Sequence, residues 1–159
     1  MSKTGLAEDV TLSGRGMRIA ILAARWNAPV VDALVSGAET ALARCGVHAD
    51  DVQMVRVPGA FELPVVAAHL ARSGTCDAVI CLGAVIRGDT PHFDYVAGPV
   101  AHQLAALAVE TGVPVAFGVL TCDTTEQALE RAEGDVGNKG EEAALAAVET
   151  VTAIRTLQG

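Results

Sequence analysis

The sequence predicts a three-layer α/β sandwich, with a central four-stranded parallel sheet and helices on both faces. Three observations carry the prediction. Short apolar runs alternate along the chain with longer stretches of helical periodicity, the order expected of strand–helix units. Runs such as MRIAILA and DAVICL are continuously apolar instead of alternating, which requires burial on both faces. The chain has 159 residues, 51% of them hydrophobic, which suits one domain, 1–159, with a sizeable core.

Residues 17–23 (MRIAILA) form the first strand. Asn27 is placed as a helix cap, Val31, Leu34, Val35, Ala38 and Leu42 follow at helical spacing, and Gly46 closes that helix. Residues 52–57 (VQMVRV) read as the second strand, stopped by Pro58 and Gly59. A helix over 62–72 carries Leu63, Val66, Ala67 and Leu70 on one face. The third strand is 77–82, followed by a loop that opens with Gly83. A long helix then presents Val96, Val100, Leu104 and Leu107 before Gly112. The fourth strand is 114–120; Asp123 with Glu126 resembles a helix-opening cap, and a short helix runs to Ala132. A loop over 133–140 precedes the last helix, 141–157, and residues 10–12 are a candidate N-terminal edge strand.

The formal net charge is −8, which argues against a nucleic-acid or anionic-membrane partner, since either needs a basic face. No apolar stretch reaches the length of a membrane span, and residues 1–10 lack the pattern of a signal peptide. Cys45, Cys76, Cys81 and Cys122 include no C-x-x-C pair, so they read as reduced thiols of a cytoplasmic protein with no metal site. So apolar a composition predicts a homo-oligomer.

Ligands of parallel sheets bind beyond the carboxyl ends of the strands, which directs attention to loops 24–27, 58–62, 83–94 and 121–125. Four of the five aromatics, Trp26, Phe61, Phe93 and Tyr95, lie in or directly after those loops, and Phe117 lies in the fourth strand. Flat ligands bind well against such rings. The stretch 83–95 is the densest feature, with Gly83, Arg87, Gly88, Asp89, Thr90, His92 and Asp94. His92 is the one histidine in the four loops; His48, His69 and His102 fall on helices or their exits. Imidazole as a side chain suits proton transfer near neutrality. Arg131 could pair with a phosphate, although taken alone it reads as a solvated helix-terminal arginine. Lysine is scarce: Lys3 and Lys139 are the only two. By position only Lys139 could form a Schiff base, and taken alone it reads as a surface group of a loop. Dinucleotide, Walker A, H-E-x-x-H and G-x-S-x-G signatures are absent.

Seven stretches, in order along nearly the whole chain, resemble the lumazine synthase (6,7-dimethyl-8-ribityllumazine synthase) family. They are Arg25-Trp-Asn27, SGAE from Ser36, VPGAFELP from Val57, LGAVIRGDTPHFDYV from Leu82, GVPVAFGVLT from Gly112, EQALERA from Glu126 and GNKG from Gly137. The resemblance implies a flavodoxin-like sandwich and a transferase of riboflavin biosynthesis. Such an enzyme condenses 5-amino-6-(D-ribitylamino)uracil with 3,4-dihydroxy-2-butanone 4-phosphate, without metal or cofactor, to give the lumazine, phosphate and water. It implies that Trp26 stacks on the pyrimidine, where many members carry phenylalanine, and that Ala60, Phe61, Glu62, Ala84, Val85 and Ile86 hold the ring and ribityl chain. It implies that Asp89 and Thr90 hold the butanone phosphate and that Arg131 meets the phosphate, which reverses the isolated reading of that arginine. Lys139 joins the substrate-binding set, His92 transfers protons, and Phe117 comes from the adjacent subunit. The substrate's own amine forms the imine, in keeping with the scarcity of lysine.

Members of the family form pentamers, and some stack into hollow sixty-subunit shells. The short 133–140 loop permits a shell, whereas Glu133-Gly-Asp-Val136 stands where many shell-forming members carry Gly-Thr-Lys, which removes positive charge. Two other readings share the scaffold: a non-catalytic flavin- or lumazine-binding protein and a shell-forming structural protein. The presence of both His92 and Arg131 favours the enzyme.

Overall fold

The computed structural model describes residues 11–159. Four strands, β1 (Ile19–Ala24), β2 (Val52–Val57), β3 (Ala78–Ile86) and β4 (Val115–Cys122), alternate with α1 (Ala28–Arg44), α2 (Leu63–Ser73), α3 (His92–Thr111) and α4 (Thr125–Ala132), and α5 (Lys139–Gln158) ends the chain. The strands are all parallel, in the order β2-β1-β3-β4. Alternate residues of β1 feed opposite cores. Ile19, Ile21 and Ala23 pack with α1, α4 and α5, whereas Ala20 and Leu22 pack with α2 and α3. No polar or charged residue is buried among the described residues.

Burial follows sheet position. Central β1 is buried throughout, which is why IAILAA is uniformly apolar. Edge strand β2 exposes Gln53, Met54 and Arg56, and Arg56 pairs with Asp32 at 2.8 Å. All four cysteines are free and buried, and burial pushes the Cys81 thiol up to about 12.

Four local expectations change. The 83–94 loop shrinks to residues 87–91, because Gly83 through Ile86 continue β3 against Val119 through Cys122 of β4. Gly83 does not break the strand: it sits on the side chains of Leu63, Ala60 and Ala24. The cap of α4 is Thr124, whose hydroxyl accepts the Gln127 N–H at 3.2 Å. Asp123 is freed to bind Arg87. Lys139 and Gly140 open α5 instead of ending a loop, since the Asn138 side chain accepts from Gly140 and Glu141 N–H groups. Thr11 and Leu12 belong to no strand, and Leu12 packs against the core on the α1, α4 and α5 side of the sheet; Val10 lies outside the described residues.

Candidate active site

The predicted residues gather in two places. The first is the carboxyl end of β1, β2 and β3. After β1 the chain turns sharply, with Trp26 N–H donating to the Pro58 carbonyl at 3.0 Å. Asn27 follows at φ 60°, a left-handed conformation that asparagine tolerates better than most residues. Its side chain does not cap α1 as the sequence suggested. Instead Nδ2 donates to the Ala84 carbonyl at 3.0 Å, lacing the turn to β3.

Gly59 lies directly beneath the Trp26 ring, where a Cβ would collide with the indole. Its N–H donates to Glu62 Oε2 at 3.0 Å, which anchors the short 3-10 turn Ala60–Glu62. Ala60 is buried, whereas Trp26 and Phe61 are 66% and 59% exposed. Both rings are thus open to solvent and held in laced turns, a geometry that suits stacking against a planar ligand.

Ala84 and Val85 are buried, their side chains pointing into the two opposite cores. Any contact of theirs with a ligand therefore runs chiefly through the backbone. Pairing with β1 stops at Ala23↔Leu82, while pairing with β4 continues to Ile86. The β1-side edge of residues 84–86 thus projects past its neighbour, and the turn carrying Trp26 lies alongside.

Beyond β3, Arg87 ties down the connection. Its Nε donates to Asp123 Oδ1 at 2.9 Å, Asp94 lies 3.7 Å from Nη1, and the guanidinium lies 4.1 Å from the centroid of Phe93. The hydrogen bond to Asp123, aided by Asp94, raises the pKa of Arg87 further. Asp94, a neighbour of His92 in sequence, is therefore engaged with Arg87. Asp89, Thr90 and His92 are exposed, and Thr90 Oγ1 accepts the His92 N–H at 3.4 Å. His92 is the first residue of α3, not part of the 83–94 loop in which the sequence reading set it.

The second place is the outer edge of β4. A cavity of about 380 Å³ there is lined by residues that include Phe117, Thr121, Arg131, Lys139, Glu142 and Ala143. Phe117 is 46% exposed. Arg131 donates from Nη1 to its own helix at Gln127 O, 2.9 Å, and no carboxylate lies within 4.0 Å of it among the described residues. Lys139 is not a solvated loop group. Its half-buried ammonium contacts both carboxylate oxygens of Glu142, at 2.8 and 2.9 Å. Glu142 escaped the sequence reading, although its i,i+3 spacing from Lys139 was the available signal. No residue of the first set lines this cavity.

The sequence profile of the 6,7-dimethyl-8-ribityllumazine synthase family matches residues 16–155. The chain belongs to that family. It is 53% identical over 143 residues to the 6,7-dimethyl-8-ribityllumazine synthase of Nitratidesulfovibrio vulgaris (strain DSM 19637 / Miyazaki F), covering 90% of this chain and 92% of that protein. Both sets of site residues fall inside the span matched to the family. Among the described residues no helix is long and apolar enough to cross a membrane. Nor does any group of three or more His, Cys, Asp and Glu side chains there suit a metal ion.

Proposed function

We propose that the protein condenses 5-amino-6-(D-ribitylamino)uracil with 3,4-dihydroxy-2-butanone 4-phosphate, yielding 6,7-dimethyl-8-ribityllumazine, phosphate and water in the cytoplasm. The observation that carries the reading, beside family membership, is the pairing of exposed aromatics with a cavity holding an arginine that has no carboxylate partner among the described residues. The pyrimidine stacks on Trp26 with Phe61 nearby, and the projecting backbone of residues 84–86 reads its polar edge. Glu62 is fixed by Gly59 beside the ribityl chain. Asp89 and Thr90 hold the butanone from the side of α3.

The phosphate belongs to the cavity on β4. Glu142 pairs with Lys139 and holds its ammonium in the cavity, while Arg131 has no carboxylate within 4.0 Å among the described residues; its planar fork suits a phosphate, with Lys139 as the second cation. The local charge matters because the chain as a whole carries −8 and repels an anion at long range. The substrate amine attacks the ketone and loses water as the imine forms. Phosphate then leaves by elimination, with His92 moving the proton and Arg131 taking the developing charge. The enol left behind tautomerises to a ketone, and attack of the second nitrogen on that carbonyl, with loss of a second water, closes the ring. Holding two substrates together supplies much of the acceleration.

Because the two sets line different surfaces of one chain, the complete site forms between copies, with Phe117, Arg131 and Lys139 contributed by a neighbour. The assembly is a pentamer, alone or within a shell. The purified protein mixed with both substrates should generate the fluorescent lumazine. A rate no higher than the uncatalysed background would rule out the enzyme in favour of a binding or shell protein on the same scaffold.

A further inference from the structure

We infer that Asn138 is a positioning residue for the phosphate cations, setting the spacing between Arg131 and Lys139; the inference rests on the phosphate assignment above. Its side-chain amide uses its full hydrogen-bonding capacity. Nδ2 donates to the Ala132 carbonyl at 2.6 Å and to the Ala33 carbonyl of α1 at 2.9 Å. Oδ1 accepts the N–H groups of Gly140 and Glu141 at 2.8 and 3.0 Å. One amide thereby satisfies a carbonyl at the end of α4 and two N–H groups at the start of α5, both of which lack intrahelical partners.

Those two helix ends carry the cavity's cations. Arg131 is the penultimate residue of α4 and Lys139 the first of α5. The bond to Ala33 fastens the junction to α1, across 105 positions of sequence. The fit is close. A Cβ at Gly37 would run into the Asn138 amide, and one at Gly140 would run into the Leu34 backbone. Gly37 thus leaves room for the asparagine amide and Gly140 lets α5 approach α1 closely, and among the described residues the Asn138 side chain bonds to Ala33, Ala132, Gly140 and Glu141, not to Arg131 or Lys139. It acts through the helix ends.

Asn138→Ser retains an oxygen to cap α5 but cannot reach the two carbonyls. It should raise KM for the butanone phosphate about tenfold, within the range a displaced positioning group costs. The inhibition constant of inorganic phosphate should rise in parallel, and KM for the pyrimidine should hold. Gly37→Ala keeps the asparagine but pushes its amide aside, and should give the same selective loss in smaller measure, although alanine normally favours a helix. It carries the test should Asn138→Ser melt below assay temperature. Equal losses for both substrates, or an unchanged phosphate inhibition constant in either folded variant, would overturn the inference. Arg131→Ala separates the two levels. If it weakens phosphate inhibition while the Asn138 and Gly37 variants do not, only the positioning role fails. If it too leaves phosphate inhibition unchanged, the phosphate assignment itself fails.

Discussion

Trp26→Ala probes the aromatic platform directly. Trp26 is the sole tryptophan and is 66% exposed, so about a third of its surface rests on protein. Taking ~250 Å² for a tryptophan, about 80 Å² leaves water on folding, and at ~25 cal/mol per Å² this stabilises the fold by ~2 kcal/mol at most. The substitution should lower the melting temperature modestly and leave the protein folded. Its effect on binding should be larger and selective. Stacking of a base on an aromatic side chain contributes ~1–3 kcal/mol, and ~1.4 kcal/mol is a factor of ten. KM for the pyrimidine should therefore rise roughly 5- to 150-fold, provided that chemistry is slower than substrate release. KM for the butanone phosphate should not move. Trp26→Phe should recover most of the loss. Gly59→Ala, which drives a methyl group into the indole, should fall between wild type and Trp26→Ala. Binding can be read without turnover, because a pyrimidine stacked on the only tryptophan should quench its fluorescence. A wild-type pyrimidine KM in Trp26→Ala, or equal loss for both substrates, would refute the stacking argument.

Four further outcomes are expected. Arg131→Ala should raise KM for the butanone phosphate far more than that for the pyrimidine, measured by varying each substrate in turn. His92→Ala should lower kcat by ~10²-fold, the low end for general acid–base catalysis, and should remove a limb from the pH–rate profile; an unchanged profile would take His92 out of proton transfer. Arg87→Ala should lower kcat with little change in either KM, since it frees the first turn of α3 from Asp123, and amide exchange over 87–95 should quicken. Partial burial alone would raise the Asp77 carboxyl, but the Arg18 N–H at 2.7 Å, the Arg18 guanidinium and Arg155 outweigh it and hold the group below its ordinary 3.8. Its contribution is therefore present above that value and lost as pH falls through the lower folded-state value, so denaturant melts of Asp77→Asn should show a weaker decline in that acid range.

What the sequence disclosed follows from the range of the interactions involved. Strands β1 and β3 were legible because both faces are buried, leaving unbroken apolar runs. The length of β3 was not, because Gly83 reads as a stop, and only the long partner β4 shows that pairing continues through it. Asn27 was legible as a polar residue before a helix, but its partner, the Ala84 carbonyl, lies 57 positions away. Lys139 is the sharpest case. Alone it resembles a solvated lysine; the i,i+3 spacing of Glu142 hints at a pair, but Arg131 across the cavity cannot be seen until α4 and α5 are docked. The motifs GNKG and EQALERA carried the family resemblance, whereas the amide that joins them became visible only in three dimensions.

Under the proposed function, in which a site is completed between copies, the placement of the aromatics constrains how those copies meet. Trp26, Phe61, Tyr95 and Phe117 all remain substantially exposed, whereas Phe93 packs against a core, so the four exposed rings add less to the stability of one chain than buried rings would. Trp26 follows β1 and Phe61 follows β2, on one side of the sheet order, whereas Phe117 belongs to β4 at the opposite edge. A two-fold dimer through β4 would set Phe117 and Arg131 of one copy against the same residues of the other. It would leave every aromatic platform without a phosphate cavity. Completing one site requires the β4 edge of one copy against the β1–β2 end of the next. That contact is heterologous, and repeated by a rotation that closes, it builds a ring. In such a ring each copy gives half a site to either neighbour, and the number of complete sites equals the number of chains.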